Sequence, residues 1–128
     1  MPVVCEVSSE YHYRNPVASF QTTAIVISQS GESIDSLMAV RHAKKLGLDT
    51  YGIVNVVDST ISREVDKILP TRAGPEIGVA STKAFTAQLV VLICLAISLG
   101  RKNGKLDEDI SNNIHQKILK IPGTIGKS

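Results

Sequence analysis

Short, wholly apolar runs that stop at a polar or glycine-containing turn, with a helical pattern starting at once, constrain this chain most. Ile25-Val26-Ile27 ends at Ser28-Gln29-Ser30-Gly31-Glu32-Ser33, and Ile34, Leu37 and Met38 then follow at helical spacing. Thr50-Tyr51-Gly52-Ile53-Val54-Asn55 is a second run of the same kind. Continuous apolar character in so short a run suits a strand covered on both faces. Strands alternating with helices require parallel βαβ connections, so the pattern predicts an open, twisted α/β sheet.

In chain order, the pattern predicts a strand over 3–7 and a short helical turn over 8–13, with Ser8 as a possible cap. Strands follow over 24–28 and 50–55, with a helix over 33–46 between them that Gly47 closes. A short helix over 59–65 precedes a brief strand over 67–69, which Pro70 confines to an edge. A long helix runs to about Leu99 and ends at Gly100, with Arg101 and Lys102 on its negative end. Its run from Leu89 to Ile97 is apolar around nearly the whole circumference, so the helix is expected to be buried on all sides and to need a partner subunit or neighbouring domain. That run is shorter than the roughly 20 residues of a membrane span. A last helix covers about 107–120, with Ile110, Ile114, Ile118 and Ile121 on one face; Pro122-Gly123 stops it, and 122–128 begins a linker.

Ligands of open parallel sheets sit at the carboxyl ends of the strands, and the turn over 28–33 is at such an end. The first N–H groups of a helix have no internal partner and carry partial positive charge, so this turn can hold a phosphate. Ser28, Ser30 and Ser33 add hydroxyl donors and Gln29 an amide, while Gly31 permits a close backbone approach. The alternative is that the serines only cap the helix, with Glu32 a favourable first-turn charge. The turn lacks the lysine of a Walker A loop and the glycine pattern of a dinucleotide fold. In a second loop, over 73–83, Ser81 or Thr82 either caps the long helix or faces a ligand, and Lys83 makes a salt bridge or a ligand contact.

A net charge of +2 with dispersed lysines, no Trp and 4% aromatic residues argues against a nucleic-acid partner. With 43% apolar and 20% charged residues over 128 positions, the chain makes one ordinary globular domain at most. Cys5 and Cys94 are expected to be buried free thiols of a reducing cytoplasm. No leader-like basic and apolar start is present, and no metal, cofactor or membrane partner is expected.

Ser28-Gln29-Ser30-Gly31-Glu32-Ser33, followed by Glu76-Ile77-Gly78-Val79-Ala80-Ser81-Thr82-Lys83-Ala84-Phe85-Thr86, resembles the isomerase part of the glutamine–fructose-6-phosphate aminotransferase (glucosamine-6-phosphate synthase) family. Ser9-Glu10-Tyr11-His12-Tyr13-Arg14 is similar to that family's Ser-Glu-Phe-Arg-Tyr-Arg segment, with Tyr11 and His12 as departures. The resemblance implies a three-layer αβα sandwich of the sugar isomerase (SIS) type, flavodoxin-like, that lacks the family's first strand. It implies binding of fructose 6-phosphate or glucosamine 6-phosphate, with Ser28, Gln29, Ser30 and Ser33 on the phosphate and Val79 and Ser81 on the sugar. Ser33 replaces the usual threonine and keeps the hydroxyl.

The family's glutaminase domain, its Gly-Thr-Ser loop and the second SIS domain with the base, its lysine and the ring-opening histidine are expected to lie outside this chain. None of His12, His42 and His115 matches that histidine, and His42 and His115 are expected to be ordinary surface or partly buried residues. Glu32 and Glu76 are the carboxylates near the proposed site, with a first-turn charge and a loop ion pair as their structural roles. No catalytic residue is assigned, and the chain is expected to act as a phosphosugar-binding part of an amino-sugar biosynthetic transferase, as a homodimer or with missing domains in trans. The alternatives are a non-enzymatic sugar-phosphate-binding SIS module and a folded remnant acting only in dimerisation.

Overall fold

The computed structural model describes residues 2–14, 21–76 and 82–125, the side chains of 123–125 excepted. The chain divides into two compact units, 1–88 and 89–128, each described by itself.

The first unit is built on three parallel strands, β1 (Thr23–Ser28), β2 (Asp49–Val54) and β3 (Lys67–Pro70), in the order β1-β2-β3. Ser28 pairs with Val54 and Val54 with Pro70, so the three strands end in one row. The loops after them therefore leave from the same edge of the sheet. Pro70 occupies the end of an edge strand, where its missing N–H costs no ladder bond. Two helices connect the strands, α2 (Ile34–Lys45) and α3 (Thr60–Glu64), and a four-residue helix α1 (Ser8–Tyr11) precedes them.

Ser36, Ala39, Val40 and Ala43 recur on one face of α2, and that face is buried. Val40 packs with Val26, Val54, Ile61 and Val65 into the core, each such side chain contributing roughly 1.5–3 kcal/mol by burial. The end of α2 is a Schellman turn: Gly47, at φ 75°, donates to the Lys44 carbonyl, and Leu48 to that of Ala43. Arg41 holds Glu64 through bonds of 2.9 and 2.5 Å, joining α2 to α3.

Three expectations are corrected. Residues 2–7 form no strand and are exposed, because β-propensity is realised only by pairing with a neighbour. Cys5 is accordingly exposed, and Cys94 is half-buried, so neither thiol is fully enclosed. Val7, not Ser8, is the N-cap of α1, and it makes no side-chain cap bond. Coverage of the sheet is also uneven. Central β2 buries Ile53 and Val54 completely, whereas Ile25 and Ile27 of β1 are 40% and 41% exposed.

Helix α4 (Thr82–Lys102) crosses from the first unit into the second, which it shares with α5 (Glu108–Ile125). Gly100 lies inside α4 and does not end it; Gly104, at φ 62°, takes the turn position. A side chain at Gly100 would bring a Cβ within 3.1 Å of the Leu106 Cβ, so this glycine lets the following loop close on the helix. Expected burial on all sides of α4 is not met within the chain: Ile97 is buried, but Phe85, Leu89 and Ile93 are 59%, 43% and 43% exposed. By length and composition alone α4 is apolar enough to cross a membrane, with a mean hydropathy of 1.9. Along α5, Ser111 is buried and Ile114 and Ile118 are half-buried, while Ile110 and Ile121 are exposed. The helix continues through Pro122 to Ile125, since a proline in the last turn removes a single intrahelical bond.

Candidate functional site

The turn after β1 and the N-terminus of α2 come together at the carboxyl edge of the sheet, as the strand–turn–helix pattern predicts. Ser28 is buried, and its Oγ accepts the Gly31 N–H at 3.1 Å. Ser30 Oγ accepts the Glu32 N–H at 3.2 Å. Each hydroxyl keeps its own proton free to donate. Ser33 is the N-cap of α2 by backbone conformation, but its side chain makes no cap bond. The first backbone bond of α2 is Leu37 N–H to the Ser33 carbonyl, so the preceding N–H groups of the first turn have no acceptor among the described residues. Asp35 lies in that turn and is exposed.

Glu32 takes a role that the helix pattern alone did not reveal. Its Oε1 accepts the N–H of Thr60 at 2.8 Å, so the carboxylate serves the start of α3 rather than α2. Hydrogen bonds from Thr60, side chain and then backbone, hold its pKa below the ordinary value, and the Arg63 charge lowers it further. The carboxylate stays negative but is directed to Thr60 and not into the turn, while Asp35 remains a second negative charge in the first turn of α2. Gly31 adds a second tie: its carbonyl accepts the Ile61 N–H at 3.0 Å. It sits at φ 69° with the Ser59 Oγ only 1.9 Å from where a Cβ would be, so no side chain fits there.

The second loop is anchored at both described ends. Glu76 Oε2 accepts the Ala84 N–H at 3.0 Å, capping α4 rather than forming the expected ion pair. Lys83 Nζ donates to the Pro75 carbonyl at 2.5 Å, a backbone bond where a salt bridge or ligand contact was expected. Val79 and Ser81 lie outside the described residues, as does the question of Ser81 as a cap. Asn55, at the end of β2, bonds to both loops and had no recognised signal in the sequence.

His42 packs edge-on against Tyr11 at 5.5 Å, and His115 is exposed. His12, Met38, Arg41, His42, Lys44 and Lys45 line an open depression of about 680 Å³ away from the turn. Among the described residues no cluster of His, Cys, Asp or Glu is placed to hold a metal.

The geometry therefore offers an anion seat of neutral donors at a helix start. The SIS domain family profile matches residues 1–98. A glutamine–fructose-6-phosphate aminotransferase (isomerizing) of Bradyrhizobium diazoefficiens is 49% identical over 95% of this chain and 20% of its own length. One from Thermus thermophilus is 45% identical over the same shares. The chain thus spans about a fifth of the length of these curated relatives. Among solved structures, the C-terminal domain of glucosamine-fructose-6-phosphate aminotransferase from Francisella tularensis superposes with a TM-score of 0.86 at 38% identity, over 91% of this chain and 33% of that one. A glucosamine-6-phosphate deaminase from Thermotoga maritima superposes at 0.66, with 25% identity over 82% and 32%. The α/β fold with its parallel sheet is of the αβα SIS type, and the chain belongs to the SIS domain family, its curated relatives being glutamine–fructose-6-phosphate aminotransferases.

Proposed function

We propose that this chain is the phosphosugar-binding part of the isomerase region of a glucosamine-6-phosphate synthase. Fructose 6-phosphate or glucosamine 6-phosphate is held through Ser28, Gln29, Ser30 and Ser33, with Val79 and Ser81 toward the sugar. The observation that carries this reading is the N-terminus of α2, with its unbonded first-turn N–H groups and the uncapped Ser33 hydroxyl. The names of the relatives support the choice of sugar phosphate.

The chain does not isomerise the sugar alone. Moving a proton between C1 and C2 requires a base within hydrogen-bond reach. Of the carboxylates near the site, Glu32 and Glu76 are occupied by backbone N–H groups, and Asp35 in the first turn of α2 is an exposed acid for which no contact among the described residues marks a catalytic role. The base and the glutaminase come from other parts of the enzyme, in a cytoplasmic assembly in which a second copy or further domains cover the exposed Ile25, Ile27, Leu89 and Ile93. A whole site of micromolar affinity corresponds to about −8 kcal/mol. Losing two or three charged hydrogen bonds of roughly 1.5–3 kcal/mol each leaves millimolar binding or weaker.

Calorimetric titration with fructose 6-phosphate, against fructose and inorganic phosphate, tests the reading. Tighter binding of the phosphosugar than of both controls is expected. A folded chain that binds none of them up to tens of millimolar would sink it, and would favour the reading that the exposed apolar surface serves dimerisation only.

A further inference from the structure

Asn55 stands immediately after β2, between the two loops that carry the candidate ligand contacts. Its backbone N–H donates to the Gln29 carbonyl at 3.3 Å, inside the turn after β1. Its side chain reaches the other way. Oδ1 accepts the Thr71 hydroxyl at 3.0 Å and the Ala73 N–H at 2.8 Å, and Nδ2 donates to the Gly74 carbonyl at 2.8 Å.

The amide is the side chain this position requires. Its oxygen must accept twice and its nitrogen must donate to a carbonyl, so reversing the amide would set donor against donor and acceptor against acceptor. The loop it holds is one that does not fold by local preference. Arg72 has φ 53° and Gly74 φ 74°, and a left-handed conformation at a non-glycine residue persists only where its surroundings over-determine it. From Gly74 the chain passes to Pro75 and Glu76, which are tied to the start of α4 through Lys83 and Ala84.

We propose that Asn55 is a positioning residue of the phosphosugar site, fixing the loop over 71–76 relative to the turn over 28–33 that receives the phosphate. The proposal rests on the phosphosugar reading. Asn55 touches no ligand; it acts through the loop.

The test compares the full chain with its Asn55→Asp and Asn55→Ala variants, using fructose 6-phosphate affinity at pH 7 and pH 5 and amide exchange at Ala73. In Asn55→Asp an ionised carboxylate would put a negative oxygen against the Gly74 carbonyl, whereas a protonated one can donate to it as the amide does. Affinity of Asn55→Asp relative to wild type is expected to fall about tenfold or more at pH 7 and to recover at pH 5. The deficit of Asn55→Ala should be the same at both, with faster exchange at Ala73. Equal affinity of wild type and both variants at pH 7, with the wild type binding, overturns the proposal. If the wild type binds no phosphosugar, the ligand reading fails and takes the positioning role with it; unchanged Ala73 exchange in Asn55→Ala then overturns the loop clamp as well. Should Asn55→Ala not fold, Thr71→Val removes one of the three side-chain bonds and is expected to weaken binding in the same direction; unaltered affinity there overturns the clamp.

Discussion

The carboxylate of Glu32 accepts the backbone N–H of Thr60 at 2.8 Å, 28 residues further along the chain. A residue that sequence places in the first turn region of one helix therefore serves the start of another. This bond and the Ile61 to Gly31 bond beside it tie the candidate phosphate turn to α3. Glu32→Ala removes the acceptor and should weaken fructose 6-phosphate binding by loosening the turn. Glu32→Gln keeps a carbonyl oxygen for Thr60 and should restore most of the affinity. Titration calorimetry on the pair decides it, and equal losses in both variants would mean that the charge, not the bond, matters.

Gly31 and Gly47 share a left-handed backbone but differ in surroundings. An alanine at 47 meets nothing within 4 Å and should cost only the conformational term, about 1–2 kcal/mol. At 31 the Cβ would collide with Ser59, adding about 1–3 kcal/mol of overpacking. Denaturant midpoints of the two variants should separate accordingly.

Ser33 separates stability from binding. Because its hydroxyl caps nothing, Ser33→Ala should change stability by less than about 0.5 kcal/mol, below the usual cost of losing a cap. Loss of one hydrogen bond to a charged phosphate should nevertheless weaken fructose 6-phosphate binding about tenfold. A large drop in thermal midpoint with unchanged affinity would reverse the assignment and make Ser33 a structural cap.

Asp66 sets an acid limit on stability. Its Oδ2 accepts the Thr50 hydroxyl at 2.7 Å and the Thr50 N–H at 2.8 Å, and Lys44 lies 3.0 Å from Oδ1. The Thr50 side-chain bond first, then the Thr50 backbone bond and Lys44, bring the carboxyl down to about 2. The folded state binds this proton less tightly than the unfolded chain, so the contribution is complete above the ordinary value of 3.8 and fades as pH falls toward 2. Glu64, lowered by Arg41, changes stability in the same direction. Unfolding followed from pH 5 to pH 2 should show this decline, and Asp66→Asn should flatten part of it.

The candidate turn was legible because its signals are local. Hydroxyls and a glycine between an apolar run and a helical pattern define a strand end, a turn and a helix start within a few residues. The tie of Glu32 to Thr60 and the bonds of Asn55 were not legible, since their partners stand 16 to 28 residues away and meet only once the strands align. Glu76 reads as an ion-pair carboxylate for a different reason: Ala84, whose N–H it accepts, is only eight residues away but is ordinary in sequence.

The sequence by itself determined the strand–helix alternation, the parallel sheet and the strand–turn–helix over 28–33, because apolar periodicity and turn chemistry are properties of neighbouring residues. Tertiary structure decided which of these potentials were used. The apolar stretch over 2–7 stays unpaired, α4 passes through Gly100 to make room for Leu106, and Glu32 turns from its own helix to α3. Pairing edges, close approaches and the partners of a charge depend on what the folded chain brings alongside, and no window of sequence contains them.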